Sequence, residues 1–414
     1  MNYNKSIDLE KLEKLQRIVE TEKLLNEIKD VDVLLEQILS EARLIVNADA
    51  GSIYVVDGDD LVIKYAQNST QQKKLAAGEK LPYISNHHYK ISDESIAGYC
   101  AKHKELVNIA DCYNISSDLP YSFFRKNDEL TGYKTTSMLA IPLKVSSGKL
   151  RGVLQLINAQ DADGNIISFD SDAELFATHF ASSAAQTLDR SYILQNYLKR
   201  MTMMAQLRDP RETFEHVERV SAFSLEIYDR WASDHNVDQS AKKKFRDNLK
   251  IAAKCHDFGK VGIEDRILKK PGLLNHSERE IMKGHTCIGA KLFSDSETDL
   301  DEMCFHVTLY HHVWWNGGEK SYPGRNAFDS YEQGDEVSCD NSLKGEEIPL
   351  AARIVAVADV FDALSHKRVY KSAWNIEDAI EEINRCSGTQ FDPEVVKAFM
   401  EIKDRITLIC KSLG

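Results

Sequence analysis

Apolar residues near the start of the chain recur every three to four positions, at Leu9, Leu12, Leu15 and Ile18 and then at Leu24, Leu25, Ile28, Val31, Leu34, Leu35 and Ile38. That spacing keeps them on one helical face and predicts helix over residues 7–47, in two pieces. From Ala50 the rhythm changes to short β-rich runs, SIYVV, LVIKYA, ELVNIA, SMLAIPLKV and GVLQLINA, separated by turn formers such as Asp57-Gly58 and Ser146-Ser147-Gly148. Such runs predict an antiparallel sheet flanked by helices, an α+β arrangement. Residues 171–207 contain neither glycine nor proline and read as one long helix. Beyond Asp209-Pro210 every well-patterned segment is helical except a polar stretch near 316–346. A loop that long is either functional or mobile, and the 324–345 part reads as a mobile excursion. The expected order is an N-terminal helix (1–29), an α+β domain (30–170), a linking helix (171–207) and an all-α domain (208–414).

The 414 residues suffice for two or three domains. No run approaches the roughly 18 apolar residues that a membrane-spanning helix needs, and MNYNKSIDLEKLEKLQ lacks the apolar centre of a signal peptide. A cytoplasmic protein without a membrane partner is expected. The eight cysteines show no CxxC pair, which fits reduced thiols rather than a disulfide framework or cysteine-held zinc. The 52 basic and 65 acidic residues give a net charge of −13, a field that repels DNA and other polyanions. An anionic substrate therefore needs a local positive site, which bound metal ions would supply.

Nine of the 13 histidines lie after residue 200, and their neighbours matter more than their number. Glu212 and His216 are four apart in RDPRETFEHVERV, on one face of a helix expected to start just after Pro210. His256-Asp257 pairs an imidazole with a carboxylate, with Lys260 one turn on. His285 sits in MKGHTCIGA, His311-His312 in TLYHHVWW and Asp359 in VAVADVFDAL. Each is unremarkable alone: a Glu/His pair is usually a solvated helix face, and His235, His276 and His306 read as ordinary surface or core residues. The ordered set is what carries meaning. Five imidazoles and three carboxylates form a mixed nitrogen and oxygen donor set suited to iron, manganese or zinc and poor for calcium or magnesium.

With those stretches in view, residues 200–410 resemble the HD-GYP family of metal-dependent phosphohydrolases, through RDPRETFEHVERV, CHDFGKVGIEDRILKKPG, GHTCIGAKLF, YHH, SYPG, KGEEIPLAARIVAVADVFDALSHKRVYK and GTQFDPEVV. The resemblance implies hydrolysis of cyclic di-GMP or a related cyclic dinucleotide to linear dinucleotide or GMP. It implies two or three divalent ions, iron or manganese, bound by Glu212, His216, His256, Asp257, His285, His311, His312 and Asp359. It also implies that His256, Asp257 and Lys260 serve catalysis, and that Lys260, Tyr322, Arg368 and Lys371 hold substrate. The chain departs from the family's motif, roughly HHERWDGxGYP: HHVWWNGGEKSYP is two residues longer and has Ser321 where the glycine belongs. A weakly catalytic module that reports cyclic-dinucleotide binding, or an HD-type hydrolase of another phosphoester, are the alternatives.

Residues 30–190 resemble a GAF domain, through ADAGSIYVVDGDDLVIKYAQN, ISDESIAGYCAKHKELVNIAD, TGYKTTSMLAIPL and GVLQLINAQ. Of the motif found in cyclic-nucleotide-binding members, Asn158, Phe169 and Glu174 match, whereas Ala159 and Ala173 replace Lys and Asp. That weakens the case for cyclic mononucleotide, and the expected occupant is an unknown small ligand or none. His87, His88, His103 and His179 read as surface or core residues rather than haem ligands. A parallel homodimer is expected through the N-terminal helix and the 171–207 helix, using Phe176, Phe180, Ala184, Leu188 and Ile193.

Overall fold

The computed structural model describes residues 2–74, 88–209, 213–318, 321–322, 328–329, 343–366 and 374–412. The chain divides into two compact units, residues 1–194 and 195–414.

In the first unit, α1 (Asn2–Glu27) and α2 (Val31–Ile45) form the two-part helix expected from the apolar spacing. The break falls at Asp30, whose carboxylate accepts the amides of Asp32 and Val33 and so starts a new helix. The strands β1 (Ala48–Asp57), β2 (Asp60–Asn68), β3 (His88–Lys90), β4 (Val107–Ile109), β5 (Met138–Lys144), β6 (Leu150–Gln160) and β7 (Ile166–Ile167) make one sheet in the order β3-β2-β1-β6-β5-β4, with β7 against β6. Every pairing in it is antiparallel. The alternation along each strand sorts side chains to two faces. Ile53, Val55, Leu154 and Leu156 join Leu34, Leu35 and Ile38 of α2 in one core, which also takes in Phe176, Phe180, Ala184 and Leu188 of α6 (Ser171–Arg208). Tyr54, Leu61, Ile63 and Val153 face the other way, onto Ile96, Ala97 and Cys100 of α4 (Ile96–His103). Fully burying an aliphatic side chain of this size contributes about 1.5–3 kcal/mol, so the two-sided sheet is held from both faces.

One expectation is corrected here. Phe176, Phe180, Ala184 and Leu188 are not available for pairing with a second chain, because the unit's own sheet and α2 cover them. Ile193, the fifth residue expected at that seam, is exposed, and so are Leu12, Leu15, Val19 and Leu24 on α1 and Leu175, Tyr197 and Met204 among others on α6.

The second unit is helical among its described residues. Its helices are α7 (Phe214–Asp234), α8 (Gln239–Cys255), α9 (Asp265–Leu268), α10 (His276–Lys283), α11 (His285–Lys291), α12 (Asp299–Tyr310), α13 (Leu350–Ser365), α14 (Ile376–Arg385), α15 (Pro393–Glu401) and α16 (Lys403–Ser412). Phe361 of α13 packs edge-on against Phe223 of α7 and Phe399 of α15, with ring centroids 5.3 and 5.2 Å apart. Alanines at 351, 352, 356 and 358 keep α13 slim and are buried, so neighbouring helices can approach its two aspartates. Among the described residues no helix is long and apolar enough to cross a membrane, and seven cysteines are free thiols.

Candidate metal centre

The centre is built where several helices end. The helix α8 stops at Cys255, His256 caps it, and Asp257 begins a 3-10 turn over Phe258–Gly262. The reason for the turn is steric. A Cβ on Gly259 would lie 1.8 Å from the His285 carbonyl oxygen and 2.4 Å from Gly289 N, and one on Gly289 would lie 2.3 Å from the Thr308 methyl. Only two glycines facing each other allow this backbone contact, and it brings Asp257 Oδ1 within 3.1 Å of His285 Nε2. Lys260 therefore sits in the turn rather than one helical turn beyond His256 as the sequence suggested. Its Nζ lies 2.5 Å from Asp257 Oδ2.

The remaining donors arrive from separate elements. His216 lies in the first turn of α7, where its amide donates to the Thr213 hydroxyl at 3.1 Å. This cap starts the helix at Phe214, where the sequence placed the start just after Pro210. Glu212, like Arg368 and Lys371, lies outside the described residues. His311 caps the C-terminus of α12 with His312 next to it, and Asp359 comes from α13. His216 Nε2 stands 3.6 Å from Asp359 Oδ1. His256 Nε2 stands 3.1 Å from Asp257 Oδ2 and 4.0 Å from Asp359 Oδ1, and His311 Nε2 is 3.7 Å from Asp257 Oδ1.

The rings are oriented from behind. His256 Nδ1 lies 2.8 Å from the Ala253 carbonyl, His285 Nδ1 2.7 Å from that of Met282 and His311 Nδ1 3.0 Å from that of Val307. A carbonyl only accepts, so each Nδ1 carries the proton and each Nε2 turns its lone pair to the centre. Burial holds His311 below and His312 well below the ordinary imidazole range, the neighbouring histidines adding to it. Burial alone would raise the Asp257 carboxyl, but Lys260 and His256 outweigh it and keep the group well below the usual range, as a carboxylate.

These residues fit a cation. Asp257, His285, His311 and His312 place one donor atom each within 4.8 Å of one another, and His216, His256 and Asp257 do the same. Asp257 is shared by both groups, as a bridging carboxylate would be. His285 Nε2, His311 Nε2 and Asp257 Oδ1 are buried and, though close together, make no aligned hydrogen bond. Leaving such atoms unsatisfied is costly, and an ion at their common focus satisfies all of them. The donor set, imidazoles with carboxylates and no thiolate, is that of iron, manganese or zinc.

Three residues that the sequence reading did not name stand behind His216: Asp362 meets it directly, and Arg219 and His366 meet Asp362. Asp362, one turn after Asp359, lies 2.7 Å from His216 Nδ1, accepts Arg219 Nε at 2.6 Å and Nη2 at 3.1 Å, and stands 3.1 Å from His366 Nδ1. Burial opposes ionisation of Asp362, but His216, His366 and Arg219 together depress its pKa. The sequence did carry a signal: two aspartates three apart in an otherwise apolar helix must share a face, and Arg219 follows His216 at the same spacing. Asp209, which the sequence marks only as a helix break, is buried and lines a cavity of about 220 Å³ beside the centre, with Asp257, Lys260, His285, His312, Tyr322 and Asp359. Tyr322 packs its ring 4.7 Å from that of His312 and 5.9 Å from that of His285, and burial pushes its phenol up to about 12.

Residues 213–364 match the HD domain family and residues 30–188 the GAF domain family. The chain carries a GAF domain followed by an HD domain. HD-domain phosphohydrolases are metal-dependent, and the histidine and aspartate cluster lies within the matched segment. The HD region is 37% identical over 211 residues to "Cyclic di-GMP phosphodiesterase" of Thermotoga maritima, covering 51% of this chain and 50% of that one. It is 35% identical over 203 residues to "3'3'-cGAMP-specific phosphodiesterase 2" of Vibrio cholerae, covering 49% and 34%, and 38% identical over 162 residues to "Cyclic di-GMP phosphodiesterase response regulator RpfG" of Xanthomonas campestris, covering 39% and 38%. The chain thus spans half or less of the length of these relatives. Among solved structures, the GAF domain of a phosphoenolpyruvate-protein phosphotransferase from Coxiella burnetii is 19% identical, covering 45% of this chain and 98% of that one at a TM-score of 0.34.

In the GAF domain, the residues that match the cyclic-nucleotide motif do structural work. Asn158 is buried with a positive φ of 55°. Its Oδ1 accepts the amides of Thr136 and Ser137, and its Nδ2 donates to Tyr133 Oη and the Lys134 carbonyl. Glu174 accepts Asn108 Nδ2 at 2.6 Å. His88, His103 and His179 are exposed, which agrees with their surface reading, while His87 lies outside the described residues. A cavity of about 480 Å³ lies on the α4 side of the sheet, lined by Tyr54, Ile63, Tyr89, Phe123 and Gln155 among others.

Proposed function

We propose that the chain is a sensor-regulated, metal-dependent phosphodiesterase that opens cyclic di-GMP, or a related cyclic dinucleotide such as 3',3'-cGAMP, to linear dinucleotide, GMP or both. The observation that carries this reading is that Asp257 joins two donor groups, one with His285, His311 and His312 and one with His216 and His256, with Asp359 3.6 Å from His216, beside a cavity that holds a lysine and a tyrosine. The names of the relatives support the substrate class.

Divalent ions bound at such a focus acidify a water and offset the charge of an attacked phosphodiester. The chain's own residues prepare that chemistry. Neutral imidazoles would hold such ions without cancelling their charge, and Asp257, common to both donor groups, would offer its carboxylate to each. Lys260, now paired with Asp257 Oδ2, is a point charge at the edge of the cavity for a substrate phosphate. In this reading Arg368 and Lys371 grip the second phosphate, Tyr322 forms a wall against the substrate, and Glu212 with His216 admits a third ion. Iron or manganese is the proposed metal, on donor chemistry.

We assign regulation to residues 30–170, whose cavity offers room for a small ligand, and catalysis to residues 208–414, with 1–29 and 171–207 as the helices that pair two copies in a cytoplasmic homodimer through the apolar residues still exposed on them. Incubating the manganese- or ferrous-loaded chain with cyclic di-GMP and 3',3'-cGAMP and identifying the products tests the reading. Linear dinucleotide or GMP, absent with the His256→Ala/Asp257→Ala protein, is the expected result. Binding without turnover would make the chain a reporter module, and turnover of other phosphoesters alone would move it to a different substrate class.

A further inference from the structure

The segment from His312 to Tyr322 departs from the motif it resembles in length and in Ser321. It is tied down on one side by backbone contacts: Trp315 and Asn316 donate to the Gln390 and Thr389 carbonyls at 3.1 and 2.9 Å, and Gly345 donates to the Trp315 carbonyl at 2.8 Å. Its other side folds back on itself through Ser321. The Ser321 amide donates to the Gly318 carbonyl at 2.8 Å and the Tyr322 amide to the His312 carbonyl at 3.3 Å. The Ser321 hydroxyl accepts the Trp314 amide at 2.9 Å and donates to the Tyr322 carbonyl at 3.3 Å. The side chain is buried, so its hydroxyl acts without competition from water.

We propose that Ser321 is a positioning residue for Tyr322: its hydroxyl cross-links the two arms of the lengthened loop and so delivers the tyrosine ring to the cavity wall, over His312 and His285. This deepens the phosphodiesterase reading and rests on it. A longer loop has more conformations to lose on closure, and an internal hydrogen bond is what offsets that cost here. The inference separates substrate handling from metal binding, because His285 and His311 are oriented by the carbonyls of Met282 and Val307, which Ser321 does not touch. Ser321 therefore acts on Tyr322 and leaves His285 and His311 in place.

The test uses the full manganese-loaded chain in five forms: parent, Ser321→Ala, Ser321→Thr, Tyr322→Ala and the Ser321→Ala/Tyr322→Ala double variant. For cyclic di-GMP, Ser321→Ala should raise KM about fivefold to tenfold, the scale of one lost hydrogen bond, with kcat changed by less than about twofold. Metal content should equal the parent's, Ser321→Thr should restore KM, and the double variant should match Tyr322→Ala. An unchanged KM in Ser321→Ala, or a Ser321 effect that persists without Tyr322, overturns the proposal. Amide exchange at Trp314 and Tyr322, measured without substrate, should accelerate in Ser321→Ala and return to the parent rate in Ser321→Thr. Unchanged exchange also overturns it. Should the parent hydrolyse no cyclic dinucleotide, the functional reading fails, while exchange still decides whether Ser321 holds the loop.

Discussion

Replacing Asp362 by Asn changes one oxygen and one charge at a carboxylate that several donors share. Asp362 serves His216 Nδ1, both Nε and Nη2 of Arg219, and His366 Nδ1, all within 3.1 Å. Asparagine keeps one acceptor oxygen and turns the other into an NH2 donor, which then faces donors. The buried Arg219 loses the Asp362 charge. Breaking a buried pair in this way costs about 3–5 kcal/mol. For a domain of this size that corresponds to a fall of roughly 6–20 °C in Tm. A separate effect is expected on metal. With one neutral acceptor oxygen left for the donors of His216, Arg219 and His366, the proton on His216 Nδ1 is held less firmly, and loss of such an outer partner typically weakens affinity by about 10–100-fold. The two effects separate in the Asp362→Asn/Arg219→Gln variant. Removing the guanidinium that Asp362 paired should recover part of the lost Tm and none of the lost affinity. Thermal unfolding of the metal-free chain and manganese titration of each variant measure both. Parent-like affinity in Asp362→Asn, or recovery of affinity together with Tm in the double variant, would refute the assignment of Asp362 as the group that orients His216.

Because the partners of Asp362 depress its carboxyl, its contribution is complete above the ordinary carboxylate value of about 4 and is lost as pH falls from there toward the lower folded value; the Tm gap between parent and Asp362→Asn in metal-free protein should be steady above about pH 4 and narrow below it. Gly259→Ala puts a methyl 1.8 Å from the His285 carbonyl, so it should destabilise the HD domain by about 3 kcal/mol or more and displace Asp257 from His285, read as a lowered Tm together with lost manganese binding. Stripping metal should abolish hydrolysis, with manganese or ferrous iron restoring it and calcium not, since an imidazole-rich site disfavours hard ions; full activity after verified chelation contradicts this. Glu212→Ala should lower the metal content of the fully loaded chain from about three ions to about two by donor count, as read by elemental analysis.

The parts of this molecule that were legible in the sequence are those where residue type and local periodicity suffice. Helix α6 and the break between α1 and α2 followed from apolar spacing and the absence of glycine and proline, and the strands from alternation. The histidines and Asp257 were legible because an ordered mixture of imidazole and carboxylate on apolar segments has few other uses. What failed were statements needing a partner across the fold. An apolar helix face does not say what will cover it, and Phe176, Phe180, Ala184 and Leu188 turned out to face their own sheet. The start of α7 moved to Phe214 because Thr213 caps it, a local signal that the proline obscured. Asp362, Arg219 and His366 were missed because helical spacing puts Asp362 on a face with Asp359 and Arg219 on a face with His216 but does not show that the two faces meet. Ser321 stood out in the sequence as a departure, and its reason became visible only with Trp314 beside it.

The central claim is that the side chains gathered around Asp257 bind the ions on which cyclic-dinucleotide hydrolysis depends. Its most direct test is the rate of cyclic di-GMP hydrolysis by the metal-stripped chain as manganese is added back, in the parent and in Asp257→Ala. The account predicts a rate that starts at zero and saturates at about two or three ions per chain by donor count, with Asp257→Ala flat throughout. Hydrolysis without metal, or a titration that Asp257→Ala reproduces, would contradict it.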